Sequence, residues 1–190
     1  MNINTKKSYG GHIAIKILFV VLFLLCANTL FAQIQTKILG CRVGTSTANE
    51  VMAILNQQGY SVCVVEYNKF SRDYFKCGDY SFQIYGSILF GGVRWDHVSF
   101  TFIGQKLYSV SFAANQNTAN NAYDKLFSDL KNKYSNYYKS EESSGGVKYF
   151  RDNYTEITLS GFLGPFLTYS NIKLSKAKND GVYSGGASDL

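Results

Sequence analysis

Nucleophilic catalysis needs a thiolate or hydroxyl beside a general base, and this chain offers few such pairs. Beyond residue 32 its only histidine is His97, preceded by Asp96, and its cysteines are Cys41, Cys63 and Cys77. Cys41 stands just before a helix opening, where the helix dipole favours a thiolate. Asp96 and His97, however, are neighbours on a strand pattern and so point to opposite faces. That geometry does not suit a carboxylate orienting an imidazole, and the expectation is a protein that is not an enzyme. One histidine and three scattered cysteines show no C-x-x-C or H-x-x-x-H spacing, so no metal site is expected. Gly91-Gly92 and Gly145-Gly146 lack the strand–glycine–helix order of a phosphate cradle and read as turns or bulges. No cofactor is expected.

The residues suited to binding are aromatic. Tyr134, Tyr137 and Tyr138 stand among Lys131, Lys133 and Lys139, and Trp95 follows Arg94 between Gly92 and His97. Exposed Tyr and Trp supply contact area at low entropy cost. Trp95, Arg94, Tyr134, Tyr137 and Tyr138 are therefore the candidate binding residues, for a protein surface or a stacked sugar. The competing reading is that the rings pack across strands. The cysteines also leave two readings open. Either Cys63 pairs with Cys77 across a short loop in an oxidising compartment, or all three are small buried hydrophobes.

The first 32 residues set the compartment. Lys6, Lys7 and Lys16 lead into an apolar run from Ile17 to Leu25, and Leu30-Phe31-Ala32 puts a small residue at a cleavage position before Gln33. This is the pattern of a secretory signal peptide. The run is shorter than the roughly 20 apolar residues of a membrane span. Leu24-Leu25 before Cys26 fits a lipoprotein site poorly. The expected product is exported, periplasmic or extracellular, and meets the membrane only through its leader before cleavage.

Cleavage removes three lysines and no acid, taking the net charge from +6 to +3. A charge of +3 spread over the chain is no nucleic-acid footprint. The 190 residues less 32 leave 158, enough for one domain with a core. Apolar residues at 46% and a single proline exclude disorder for this body.

Two segments have helical spacing. Thr47 and Glu50 stand in capping-box positions ahead of Val51, Ile54 and Leu55, and Gly59 stops the helix. The second begins near Asn117-Thr118 and carries the stripe Ala122, Tyr123, Leu126, Phe127 and Leu130. Strand patterns run from Tyr60 to Tyr67, from Tyr80 to Tyr85, from Val98 to Phe102 and from Tyr108 to Phe112. The last two form a hairpin through Ile103-Gly104-Gln105-Lys106. After the second helix come strands at Val147–Arg151, Tyr154–Ser160 and Phe166–Leu174. From Ser175 onward Lys, Asn, Ser and Gly predict a flexible tail over 175–190. The expected fold is a single α+β domain over 33–174. An antiparallel sheet carries two helices on one face and has one wet side. Thr47-Ala48-Asn49 and Thr118-Ala119-Asn120 open the helices alike, which suggests two tandem helix-plus-meander units.

The stretch Gly44, Ser46, Val51, Leu55 and Gly59 resembles a recurrent opening, "G-x-(S/T)-x-x-E/Q-V-x-x-x-L-x-x-x-G", of small secreted bacterial domains. These are the outer-membrane assembly lipoproteins of the SmpA/OmlA type and the β-lactamase-inhibitor-protein-like domains. The match covers about 20 residues, with small spacing departures, and carries over no contact residue. It implies a helix packed on an antiparallel sheet and a binding or scaffold role in the cell envelope. The expected partner is another envelope protein, or else a glycan or small ligand bound by the same rings.

Overall fold

Thr47 begins the first helix by closing a reciprocal cap. Its backbone N–H donates to Glu50 Oε2 at 2.8 Å, and Glu50 N–H donates to Thr47 Oγ1 at 3.4 Å. The resulting helix α1, Ala48–Gln57, buries Val51 and Leu55. It ends where Gly59 takes φ +80° and Tyr60 N–H reaches back to the Leu55 carbonyl at 3.0 Å, a glycine stop that satisfies an otherwise orphaned carbonyl.

The computed structural model describes residues 33–66, 79–114, 122–143, 146–161 and 164–179. The leader, Cys77 and the Thr118-Ala119-Asn120 opening lie outside the described residues. The chain divides into two compact units, Met1–Gln33 and Ile34–Leu190, and the elements below belong to the second.

A two-stranded ribbon, β1 (Lys37–Ile38) and β2 (Cys41–Arg42), precedes α1. After α1 come β3 (Cys63–Glu66), β4 (Tyr80–Phe90), β5 (Val93–Ile103) and β6 (Lys106–Ala113). Helix α2 (Ala122–Tyr134) and a 3-10 turn (Ser135–Tyr137) lead to β7 (Lys148–Arg151), β8 (Thr155–Ser160) and β9 (Phe166–Asn171). The seven longer strands form one sheet in the order β3-β4-β5-β6-β9-β8-β7, antiparallel throughout. Each helix is thus followed by a meander, and the last strands of the two meanders, β6 and β9, pair in the middle.

Strand alternation sorts the sheet into two faces. On the core face Phe82, Ile84, Val98, Phe100, Val110, Phe112, Leu167 and Ile157 are buried with Val51 and Leu55 of α1 and Leu126, Leu130 and Tyr134 of α2. Both predicted helices therefore join one core on one face of the sheet.

The structure departs from the sequence reading at the end of β9. The strand stops at Asn171, not Leu174, and the chain continues as helix α3, Ile172–Asn179, into the segment read as a tail. Asn171 explains the switch: its Oδ1 accepts the Leu174 N–H at 2.9 Å, the bond of an N-cap. Leu174 is buried with Ile103 and Tyr108 in a second, small cluster. Ile103 follows core-facing Phe102 and so points to the opposite face, which places α3 over one end of that face.

Candidate functional site

The face away from α1 and α2 is built by residues that alternate with the core. Strand register aligns Gln83, Ser99, Ser111, Thr168, Thr158 and Tyr149 across six strands. All six are half-buried. The four central hydroxyls span roughly 14 Å at the ordinary strand spacing, and Ser111 and Thr168 bond each other at 3.0 Å. Toward α3 the next row begins with buried Ser81, Thr101, Ser109 and Ser170 and ends on the ion-paired Glu156 and Arg151. On the other side Tyr85 pairs with His97, their rings stacked with centroids 4.8 Å apart and 13° between planes.

Beyond that stack, in the turn-proximal part of the β4–β5 hairpin, Leu89 pairs with Arg94. Tyr85 is 64% exposed and Leu89 65%. Arg94 donates from Nη1 to Ser87 Oγ at 2.9 Å. One end of this face therefore carries an exposed tyrosine, an exposed leucine and a guanidinium.

His97 sits at the seam. Burial lowers its pKa below the ordinary 6.5, and its Nε2 is buried without a hydrogen-bond partner among the described residues. The uncharged imidazole is favoured, and Tyr85 covers it.

The five sequence-predicted residues are not brought together. Trp95 is fully buried, packs on Phe112 with ring centroids 5.4 Å apart, and donates its indole N–H to the Phe90 carbonyl at 2.9 Å. It is a core residue, and its proposed surface role is corrected. The cause is a register shift in which Gly86-Ser87 oppose Asp96. Strict alternation back from Val98 would expose Trp95. The irregularity instead buries Trp95 and Val98 although they are three residues apart.

Tyr134 is buried as well, and its hydroxyl accepts the Gln35 N–H at 3.2 Å. Tyr138 packs on Phe150 and Phe127, with ring centroids 5.3 and 5.6 Å away, fastening the end of α2 to β7. Tyr137 is half-buried beside it. Of the five, Arg94 alone lies on the open face. Tyr85 and Leu89 were not among the candidates, yet the alternation of Ser81, Gln83 and Tyr85 against Phe82 and Ile84 already placed Tyr85 outward.

Cys63 carries a free, exposed thiol on edge strand β3, while Cys41 is free and buried. Cys77, the suggested partner of Cys63, lies outside the described residues. Burial pushes the Cys41 thiol up to about 11, opposite to what a nucleophile requires. Among the described residues no group of three or more His, Cys, Asp and Glu is placed to hold a metal ion.

The site and scaffold define an α+β protein with an open, hydroxyl-lined antiparallel sheet face. Comparison with known proteins finds no matching family model, curated protein or solved structure.

Proposed function

We propose that this chain is an exported, non-enzymatic binding protein of the bacterial cell envelope that engages a protein partner through its open sheet face. The observation that carries this reading is the grouping of Tyr85, Leu89 and Arg94 at one end of a face whose centre is lined by Ser and Thr. A large exposed apolar side chain is unremarkable alone, but two beside a guanidinium and a stacked imidazole form an anchor. The central Ser and Thr side chains extend the contact area with uncharged groups, and the charges at the far end of the face, Glu156 and Arg151, are paired with each other.

Export rests on the leader pattern. The folded unit beginning at Ile34, one residue after Gln33, agrees with processing at Ala32. Ile34 is buried, and its N–H donates to Asp152 Oδ2 at 3.2 Å. The resemblance of the Gly44–Gly59 segment to envelope scaffold domains points the same way.

The test is affinity capture from envelope extract with the processed chain and with Tyr85→Ala, Arg94→Ala and Thr168→Lys variants. The reading expects one protein enriched by the parent chain and lost from all three folded variants. Equal recovery by parent and variants would overturn the assignment of this face.

A further inference from the structure

A second site lies on the helix-covered side of the sheet. Helix α2, the β4–β5 turn and strand β9 enclose a cleft of about 420 Å³, within the range of small-molecule sites. Phe90, Leu126, Leu130 and Leu167 give it apolar walls. Phe90 is held in place by stacking on Phe112, ring centroids 4.5 Å apart, and by an edge contact with Tyr169. The turn residues Gly91 and Gly92 both take positive φ, +61° and +72°, which forms a tight two-residue hairpin and leaves that rim without side chains.

The polar side chains of the cleft are two phenols, two ammonium groups, the Asp129 carboxylate and the Gln35 amide. Tyr134 is 2% exposed and Tyr169 is 6% exposed. Buried tyrosine hydroxyls ordinarily find a partner. Here the Tyr134 oxygen accepts from Gln35, but among the described residues neither phenol O–H donates a hydrogen bond. Burial, with Tyr134 as a neighbour, raises the Tyr169 pKa, so its phenol stays a donor at neutral pH. At the rim Lys125 is paired with Asp129 at 2.6 Å. Lys133 has no carboxylate partner among the described residues. Its Nζ contacts Gln35 Oε1 at 3.3 Å and lies 5.1 Å from the Tyr134 ring centroid.

Two phenol O–H groups that donate to no described residue, and a lysine with no described carboxylate partner, stand beside apolar walls and suit an acceptor-rich anionic group attached to an apolar body. We infer that this cleft binds an amphiphilic carboxylate, its head on Tyr134, Tyr169 and Lys133 and its hydrocarbon against Phe90, Leu126, Leu130 and Leu167. An alcohol would fill the walls but accept less strongly, and a cationic head would meet Lys133. The inference is independent of the sheet-face reading, because the cleft lies on the opposite side of the sheet.

Trp95 provides the readout. It is the single tryptophan of the chain, and its indole is bonded to the backbone of Phe90. Sodium decanoate, kept below its micellar concentration, is titrated into the full chain while Trp95 emission is followed. Decanol and decyltrimethylammonium are run in parallel. The inference expects a saturable change with decanoate and at least tenfold weaker binding of the other two, the discrimination of a charge-assisted hydrogen bond. Lys133→Gln, at an exposed position, and Tyr169→Phe, which keeps the ring, should each weaken decanoate about fivefold or more while melting like the parent. No saturable change with decanoate, equal binding of decanol, or full affinity in Lys133→Gln would each overturn it.

Discussion

Thr155 shows how a single buried atom sets a measurable cost. The residue is 1% exposed and its Oγ1 has no hydrogen-bond partner among the described residues. A buried hydroxyl without a partner keeps its desolvation penalty, and a methyl of the same shape removes it. Thr155→Val should raise stability by about 1 kcal/mol, read as a higher urea midpoint at unchanged slope; a lower midpoint would show that the hydroxyl is satisfied. His97 carries the pH dependence. Its folded pKa lies below the ordinary 6.5 because burial penalises the cation. Above 6.5 both folded and unfolded forms are neutral and its contribution is complete. As pH falls through that value the unfolded chain takes the proton first, so stability drops toward the depressed folded pKa. The urea midpoint should therefore fall between about pH 7 and pH 5, and His97→Gln should flatten that fall; parallel profiles would contradict the assignment. At this scale the sequence was least legible. Trp95 was misplaced because one register shift beside Gly86 reverses the phase of β5, and nothing in the local residue types marks it. Tyr85, on the near side of that shift, was placed outward by alternation alone, whereas Arg94 faces outward only because the shift reverses the phase.

At the scale of elements, local chemistry was readable wherever both partners lie within a few residues. The Thr47–Glu50 cap, the Gly59 stop and the Gly104-Gln105 turn between β5 and β6 all stand as their spacing implied. Helix α3 was missed because its cap, Asn171, sits at the end of an otherwise convincing strand, and its one anchoring side chain, Leu174, finds Ile103 and Tyr108 only in the folded sheet. Asn171 also meets the opening loop. A Cβ on Gly44, which takes φ +90°, would lie 2.3 Å from Asn171 Nδ2. Gly44 N–H is bonded to the Leu107 carbonyl at 2.7 Å, so the loop cannot retreat without breaking a tie to β6. Gly44→Ala should cost about 2 kcal/mol or more, from backbone strain and the displaced cap. Retained parental stability in a melt would show that the loop yields freely.

Across the whole molecule, the α+β class and the two helices on one face followed from periodicity, because a half-buried sheet and an amphipathic helix each announce a single apolar side. The order of the sheet did not follow. Pairing β6 with β9 joins strands separated by helix α2 and two further strands, and only the closed core decides it. That pairing joins Ser99 and Ser111 of the first meander to Thr168 and Thr158 of the second in one row, which no single segment discloses. The account therefore turns on whether this composite face is the working surface. Site-specific photo-crosslinking in cells tests it most directly, with the reactive side chain at Ser111 or Thr158 on the open face and at exposed Gln57 on α1 as the reference. The account predicts a discrete protein adduct from Ser111 and Thr158, absent at Gln57 and lost when Tyr85→Ala is added. Adducts of the same size from Gln57, or none from the face, would contradict it.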